Sequence, residues 1–146
     1  MALHRFTNYH LVRNPDINLH GTLYAPRFAE WFIESGFLNL ALLVDSTNVY
    51  CQKIHGMEIL YPIYSGDIVR FDSFLVETGH SALVVYVRMT DARDNKKLLS
   101  EGVLTFATVD QNIKGVSHHL IVAPEGHEEC AIQERARSLA HKFIYD

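Results

Sequence analysis

The chain has 146 residues, and its 48% hydrophobic and 21% charged residues are typical of an ordinary globular protein of one domain, spanning residues 1–146. Its formal net charge of −4 argues against a nucleic-acid partner, because a general binder needs a basic surface to neutralise phosphates. The two cysteines form no CxxC pair, and no secretory signal is recognisable, so we expect a cytoplasmic protein without a disulfide. No run reaches the roughly 18 apolar residues that a membrane span needs, so we expect no membrane partner.

One long helix interrupts a chain that otherwise has the pattern of strands. A first strand is predicted at 6–13, and a loop at 15–21, where Pro, Asp, Asn and Gly interrupt regular structure. Pro26 suits a first helical turn. After it, residues recur at spacings of three and four, which predicts one face of a helix: Phe28, Trp31, Phe32, Ser35, Leu38 and Ala41. Further apolar residues lie off this face, so we expect a helix buried almost all round, ending at 45–48.

Four further strands follow the helix, with short connections between them. They are predicted at 54–63, 68–77, 82–90 and 98–109, with a polar hairpin loop at 91–97 and a C-terminal helix at about 128–145. Consecutive strands with short turns form an antiparallel sheet. The sequence therefore predicts an α+β fold in which a curved antiparallel sheet wraps around one long buried helix.

The polar segment before the helix carries the most informative motif. Asp16, Asn18 and Gly21 form an Asp-x-Asn-x-x-Gly run, and Tyr24 and the Pro and Trp after it continue the pattern into the helix. Three shorter motifs follow at 61–69 (YPIYSGDIV), 79–83 (GHSAL) and 106–110 (FATVD). Together, over roughly residues 10 to 112, these motifs resemble in order and spacing those of the hotdog-fold acyl-CoA thioesterases, the 4-hydroxybenzoyl-CoA thioesterase-like superfamily.

This resemblance implies the hotdog fold and a defined activity. The expected reaction is hydrolysis of acyl-CoA to a free acid and CoA, within lipid metabolism, without a metal or a bound cofactor. It also implies a homodimer or a dimer of dimers, in which the long helix of one subunit faces the sheet of its partner. An edge strand left open by the curved sheet would be covered in such a pairing.

The resemblance places candidate catalytic residues around the start of the helix. The backbone N–H of Ala25 is the expected oxyanion donor, because the first turn of a helix has free N–H groups and a favourable dipole. Pro26, the next residue, has no N–H to offer. Asn18 cannot act as a base, so it would orient water or the substrate carbonyl. The alternative for Asn18 is a structural role as a turn residue.

The catalytic base is the point at which the sequence departs from the family. Many members carry a helix carboxylate twelve residues after the glycine of the motif, and Ile33 occupies that position here. Glu30 and Glu34 flank Ile33 and are both candidate bases. We favour Glu34 because it is adjacent to the expected position. A solvated helix face is the alternative for both glutamates.

Five further residues are candidate substrate contacts by the same resemblance: His20, Gly21, Tyr24, His80 and Ser81. Gly21 would let the backbone approach the thioester closely. His80 and Ser81 would contact the pantetheine or nucleotide of CoA. The alternatives are a solvated loop for His20, a place in the core for Tyr24 and a simple hairpin for His80 and Ser81.

Two other functions fit the same predicted fold. One is a dehydratase acting on acyl carrier protein thioesters, but the His followed by a Gly- and Pro-rich entrance that marks such enzymes is missing at the matching place. The other is a non-catalytic acyl-CoA binding or sensing module, which Ile33 in place of a carboxylate supports. A sensor that regulates transcription would need an attached DNA-binding segment, for which we expect no room in this chain.

Overall fold

The structure is a curved antiparallel sheet of five strands packed around one helix. The computed structural model describes the backbone of residues 1–145 and the side chains of residues 1–141. The strands and helices are, in chain order, β1 (His4–Leu11), α1 (Ala25–Ala41), β2 (Val49–Ile59), β3 (Ile68–Thr78), β4 (Ala82–Asp91), β5 (Asp94–Thr108) and α2 (Gly126–Tyr145). The strand order is β1-β3-β4-β5-β2, so β1 and β2 are the edges. This is the hotdog fold that the sequence predicts.

Helix α1 begins directly after Tyr24 and has Pro26 in its first turn, as predicted. Its buried residues are Phe28, Trp31, Phe32, Ser35, Gly36, Asn39 and Leu40. They pack on apolar side chains that alternate along the inner face of the sheet, among them Phe71, Leu75, Leu83, Val85, Val87, Leu104 and Phe106. The expectation of a helix buried almost all round is wrong, because the sheet of a single chain covers one side of α1 and leaves Glu30 and Glu34 exposed.

A second, smaller core lies on the outer face of the sheet, beneath α2. It joins Ile132, Ala136 and Leu139 of α2 to sheet residues that include Phe74, Val76, Tyr86 and Val103. The helix covers only part of that face. The uncovered part carries polar and charged side chains.

Several predicted boundaries are wrong: β2 ends at Ile59 and not at residue 63, and two further errors have a local cause. Strand β2 begins at Val49, well before the predicted start at residue 54, because irregular pairing near Lys53 and Gly56 breaks its alternation. The predicted hairpin loop at 91–97 is shorter than expected, because β5 already begins at Asp94. The polar residues at that end of β5 are exposed on both faces of the strand. Their sequence therefore lacks the apolar alternation that marks a strand with one buried face.

The sheet bends closely around α1 at Gly102 of β5. A Cβ atom built on Gly102 would overlap the backbone oxygen of Gly56 in β2 and would lie 2.9 Å from the ring of Phe32 in α1. Only a residue without a side chain fits between these two neighbours. This contact fixes how tightly β2 and β5 wrap around the helix.

Cys51 and Cys130 are both free thiols. No helix in the described part of the chain combines the length and the apolar character that crossing a membrane requires.

Candidate functional site

A surface groove of about 490 Å³ lies next to the N-terminus of α1. Its wall is the loop that connects β1 to α1, closed by a bridge between Ile17 and Leu23. The lining residues are Pro15, Ile17, Asn18, Leu19, His20 and Tyr24. The structure thus brings three of the predicted site residues, Asn18, His20 and Tyr24, to one groove. Tyr24 is half exposed there, and the side chain of Leu19 is fully exposed.

Asn18 organises this loop through its own side chain. Its Oδ1 accepts hydrogen bonds from the backbone N–H groups of His20 (2.8 Å) and Thr22 (3.1 Å). Its Nδ2 donates to the Thr22 hydroxyl at 3.1 Å. The structural role weighed for Asn18 is therefore real. Because an amide nitrogen carries two N–H groups, one donor is left for a water or a carbonyl.

Gly21 and His20 form the outer turn of the loop. Gly21 has a φ of +81°, which favours glycine, and no other atom lies within 4 Å of where its Cβ would be. The backbone here is therefore open to an approaching molecule. His20 is exposed, and its backbone N–H donates to Asn18 Oδ1.

The first turn of α1 has free backbone N–H groups next to the groove, and the one on Ala25 is nearest to it in the chain. The N–H of Leu23 donates to the backbone oxygen of Ile63 at 2.7 Å, and the N–H of Tyr24 donates to the backbone oxygen of Asp16 at 2.8 Å. The next N–H along the chain, on Ala25, has no acceptor among the described residues. Pro26 follows it and has no N–H. The Ala25 N–H therefore lies at the positive end of the helix dipole with nothing bound to it, which suits a developing oxyanion.

The two candidate bases are both exposed on α1 and differ in their partners. Glu30 lies 3.6 Å from the guanidinium of Arg27, which also pairs with the buried Asp16 at 3.2 Å. Glu34 makes no salt bridge within the described chain. Ile33 is half-buried and packs on the core beneath the helix. An apolar side chain thus occupies the position of the family's carboxylate, and of the two flanking glutamates only Glu30 has a salt-bridge partner among the described residues.

His10 of β1 joins the candidate site, although sequence reasoning missed it. Its ring stacks on Trp31 of α1, with centroids 4.3 Å apart and planes 7° from parallel. Burial lowers the pKa of His10, against the opposing charges of Glu34, Asp16 and Glu30. The imidazole is therefore neutral near pH 7 and lies within the field of all three carboxylates. Only the packing of β1 against α1 brings these groups together.

His80 and Ser81 lie elsewhere in the chain. They form the turn after the last residue of β3. The segment that leads into the groove loop lies at the other end of β3, where the N–H of Val12 donates to the backbone oxygen of Asp67. An eleven-residue strand separates the two places, a length of about 33 Å. Within one chain, His80 and Ser81 therefore do not meet the groove.

Metal-ligand side chains do not gather at this site. Among the described side chains, those of residues 1–141, no three histidines, cysteines, aspartates or glutamates lie close enough together to hold a metal ion.

Solved structures of acyl-CoA hydrolases have the same fold as this chain. An acyl-CoA hydrolase from Staphylococcus aureus, in complex with butyryl coenzyme A, coenzyme A and coenzyme A disulfide, matches with a TM-score of 0.80 and 21% identity, over 95% of this chain and 83% of that one. An acyl-CoA hydrolase from Bacillus cereus matches with a TM-score of 0.81 and 19% identity, over 95% and 85%. The hexameric thioesterase y2039 from Yersinia pestis matches with a TM-score of 0.67 and 20% identity, over 85% and 96%.

Neither of the other two comparisons finds a relative. The sequence matches no protein-family model and no curated protein at a significant level.

Proposed function

We propose that the protein is an acyl-CoA thioesterase, which hydrolyses the thioester to a free acid and CoA. The observation that carries the proposal is the groove at the start of α1, where the unpaired N–H of Ala25 lies beside the loop that Asn18 organises. Acyl-CoA hydrolases with the same fold support this activity. We further propose that residues 1–146 form one catalytic domain that acts in lipid metabolism. Its two free thiols favour a reducing compartment such as the cytoplasm.

The proposed reaction needs three contributions, and because Glu34 lies nine residues beyond Ala25 along α1, about 13 Å, Glu34 acts on the groove of a second copy of the chain. Glu34 removes a proton from water, and the resulting hydroxide attacks the thioester carbon. The carbonyl oxygen becomes an oxyanion, which accepts a hydrogen bond from the N–H of Ala25. The Nδ2 of Asn18 donates a hydrogen bond to the water or to the carbonyl oxygen and so orients it for the attack. When the C–S bond breaks, the thiolate of CoA takes up the proton that Glu34 received, and a carboxylic acid remains.

Glu34 is the preferred base because of its surroundings. It has no salt-bridge partner in the described chain, whereas Glu30 pairs with Arg27. The neutral ring of His10 lies within the field of Glu34. Two of the Staphylococcus aureus structures carry alanine variants at an aspartate and an asparagine that are fifteen residues apart in that protein. The same spacing from Asn18 leads to Ile33, next to Glu34.

A second copy of the chain would complete this site. Glu34 and Leu19 are exposed in a single chain, and the edge strand β2 exposes Tyr50, Ile54 and Ile59. An open edge with exposed apolar residues favours pairing with another chain. We therefore propose a homodimer, or a larger assembly of dimers, since similar thioesterases are hexameric.

His20, Gly21 and Tyr24 remain proposed substrate contacts, because they surround the groove. His80 and Ser81 remain proposed contacts of CoA, supplied by a neighbouring subunit. Their distance from the groove within one chain requires such an arrangement.

Release of free thiol from a panel of acyl-CoAs tests the proposed activity. We expect turnover of at least one of a short-chain, a long-chain and an aromatic substrate, measured with a thiol-reactive dye. Asn18→Ala should lower the rate by roughly two to four decades with folding retained. The matched control is Asn112→Ala, which changes an exposed asparagine in a distant turn. An unchanged rate in Asn18→Ala would remove Asn18 from the mechanism.

A non-catalytic acyl-CoA binding module is the second candidate. The observation that favours it is Ile33, a half-buried apolar residue where many family members carry a carboxylate. Binding of acyl-CoA by calorimetry, without thiol release from any substrate of the panel, would support the sensor and contradict the hydrolase.

A further inference from the structure

Three arginines surround one carboxylate on the outer face of the sheet, in the part that α2 does not cover. Arg5 of β1 lies 2.8 Å from Asp72 of β3, Arg70 lies 3.0 Å from it, and Arg88 of β4 lies 4.0 Å away. The Asp72 side chain is only 3% exposed. Three positive charges therefore face one negative charge, in a chain whose formal net charge is −4.

Asp72 orders the cluster and cannot neutralise it. Its Oδ1 accepts hydrogen bonds from Arg5, Arg70 and the Thr7 hydroxyl, the last at 2.6 Å. Burial acts to raise the pKa of Asp72, but the bonds from Thr7, Arg5 and Arg70 outweigh it and lower the pKa. The carboxylate is thus ionised at neutral pH. Arg88 makes no hydrogen bond within the described chain, so all its donors are available.

The arginine side chains are held in place from one side by an aromatic ring. The guanidinium carbons of Arg5 and Arg88 lie 5.1 Å and 5.2 Å from the centre of the Phe74 ring. Contacts of this kind stabilise a cation and fix its position. The donors are therefore ordered before any ligand arrives, which reduces the entropy lost on binding.

A small polar cavity opens between these side chains. It has a volume of about 90 Å³ and is lined by Arg5, Arg70, Asp72, Arg88, Thr90 and Asn95. Thr90 is only 6% exposed, and its hydroxyl is buried without a hydrogen-bond partner among the described residues. Arg70 Nε is buried as well, and it already lies 3.0 Å from Oδ2 of Asp72, with which it forms an ion pair. A buried donor without an acceptor is costly, so the Thr90 hydroxyl beside this cavity points to an acceptor that enters it.

We propose that this cavity binds a phosphate group. Guanidinium groups donate paired, charge-assisted hydrogen bonds to phosphate oxygens. Donors from Arg70, Arg88 and Thr90 come from two strands, and Asn95 adds an amide from the β4–β5 hairpin. A tetrahedral ion with several acceptor oxygens can meet them all, whereas a carboxylate has only two oxygens. The unbalanced positive charge outweighs the repulsion from Asp72.

Two sources could supply this chemistry: inorganic phosphate, or a phosphate group of a nucleotide such as CoA. The cavity lies on the outer face of the sheet, whereas α1 and its groove lie on the inner side. The phosphate site therefore does not depend on the proposed hydrolase activity. It stands or falls by its own binding measurements.

Calorimetric titration with inorganic phosphate, at fixed ionic strength in a buffer without other oxyanions, tests the proposal. Wild type should bind, Arg88→Met should bind at least about tenfold more weakly, and Thr90→Val about threefold more weakly. Thr90→Val removes a hydroxyl that has no partner among the described residues, so it should not lower stability. The control is Arg93→Met, which removes an exposed arginine in the same hairpin region and should bind phosphate as wild type does.

Titrations with CoA and with dephospho-CoA identify the source. A loss of CoA affinity in Arg88→Met and Thr90→Val, with dephospho-CoA unaffected, assigns the site to the 3′-phosphate of CoA. Weakened binding of inorganic phosphate alone assigns it to the free ion. Absence of phosphate binding by wild type, or equal affinity in wild type, Arg88→Met and Thr90→Val, would overturn the proposal.

Discussion

Replacing Asp72 by asparagine removes the charge of the buried carboxylate at the centre of the arginine cluster. Asparagine keeps one oxygen for the bonds from Thr7, Arg5 and Arg70, but its amide nitrogen takes the place of Oδ2, which lies 3.0 Å from Arg70 Nε. The variant therefore loses the charge-assisted part of these bonds and the ion pair at Oδ2. Charge-assisted bonds contribute about 1 kcal/mol more than neutral ones. Both guanidinium groups are partly exposed and regain water, which reduces the loss. We expect Asp72→Asn to lower the free energy of unfolding by about 2 kcal/mol at pH 7.

The pH dependence of this difference follows from the lowered pKa of Asp72. A carboxylate whose pKa is lower in the folded protein stabilises the fold at pH values above its ordinary pKa, about 3.9. That stabilisation is lost as the pH falls through the folded value. The difference between wild type and Asp72→Asn should therefore be constant from about pH 5 to 8 and should shrink below about pH 4.

Urea denaturation at fixed ionic strength, in a buffer without phosphate, measures both effects. Asp110→Asn is the matched control, because Asp110 is exposed and its Oδ1 accepts only backbone N–H bonds that asparagine can also accept. The control should unfold as wild type does. A difference for Asp72→Asn below about 0.5 kcal/mol, or one that persists unchanged to pH 3, would refute the assigned role of the charge.

Three further changes test other parts of the structure. Gly102→Ala should destabilise the protein by at least about 1–3 kcal/mol in urea denaturation, because its Cβ would overlap the backbone of Gly56. His10→Phe keeps an aromatic ring on Trp31 and removes the imidazole, whose pKa is lowered by burial. Because wild type must protonate this group as the pH falls from about 7.5 to 5, the variant should lose less stability over that range than wild type does. Asn39→Leu should cost about 1–3 kcal/mol, since Asn39 is fully buried and donates to backbone oxygens of two strands.

Each of these three predictions has a result that would contradict it. A Gly102→Ala variant as stable as wild type would mean that β2 and β5 do not approach as closely as described. An equal loss of stability on acidification in wild type and His10→Phe would exclude a contribution from His10. An Asn39→Leu variant of unchanged stability would mean that β1 does not depend on this hydrogen bond to α1.

Patterns that are local in sequence account for most of the fold that could be predicted. The spacing of Phe28, Trp31 and Phe32 indicates the inner face of α1, and the alternation of Leu83 and Val85 indicates a strand with one buried face. A curved sheet around one helix follows from the order of these elements. The start of β2 did not follow, because irregular pairing interrupts its alternation.

The candidate site could be predicted only in its local part. The loop around Asn18 is a short motif, and its neighbour Ala25 is close in sequence, so both could be placed before the structure was known. The stacking of His10 on Trp31 depends on how β1 packs against α1. The pairing of Arg5 with Asp72 depends on strand register. Neither leaves a periodic signal in the sequence.

The central claim is that the groove at the start of α1 hydrolyses acyl-CoA with Glu34 as the base. The rate of thiol release from the best acyl-CoA substrate, compared between wild type and Glu34→Gln, tests it most directly. Glu30→Gln tests the alternative base, and Glu134→Gln, at an exposed position on α2, is the control. We expect Glu34→Gln to lose roughly two to four decades of rate and the control to lose none. Full activity in Glu34→Gln would contradict the claim, and a loss confined to Glu30→Gln would assign the base one turn earlier.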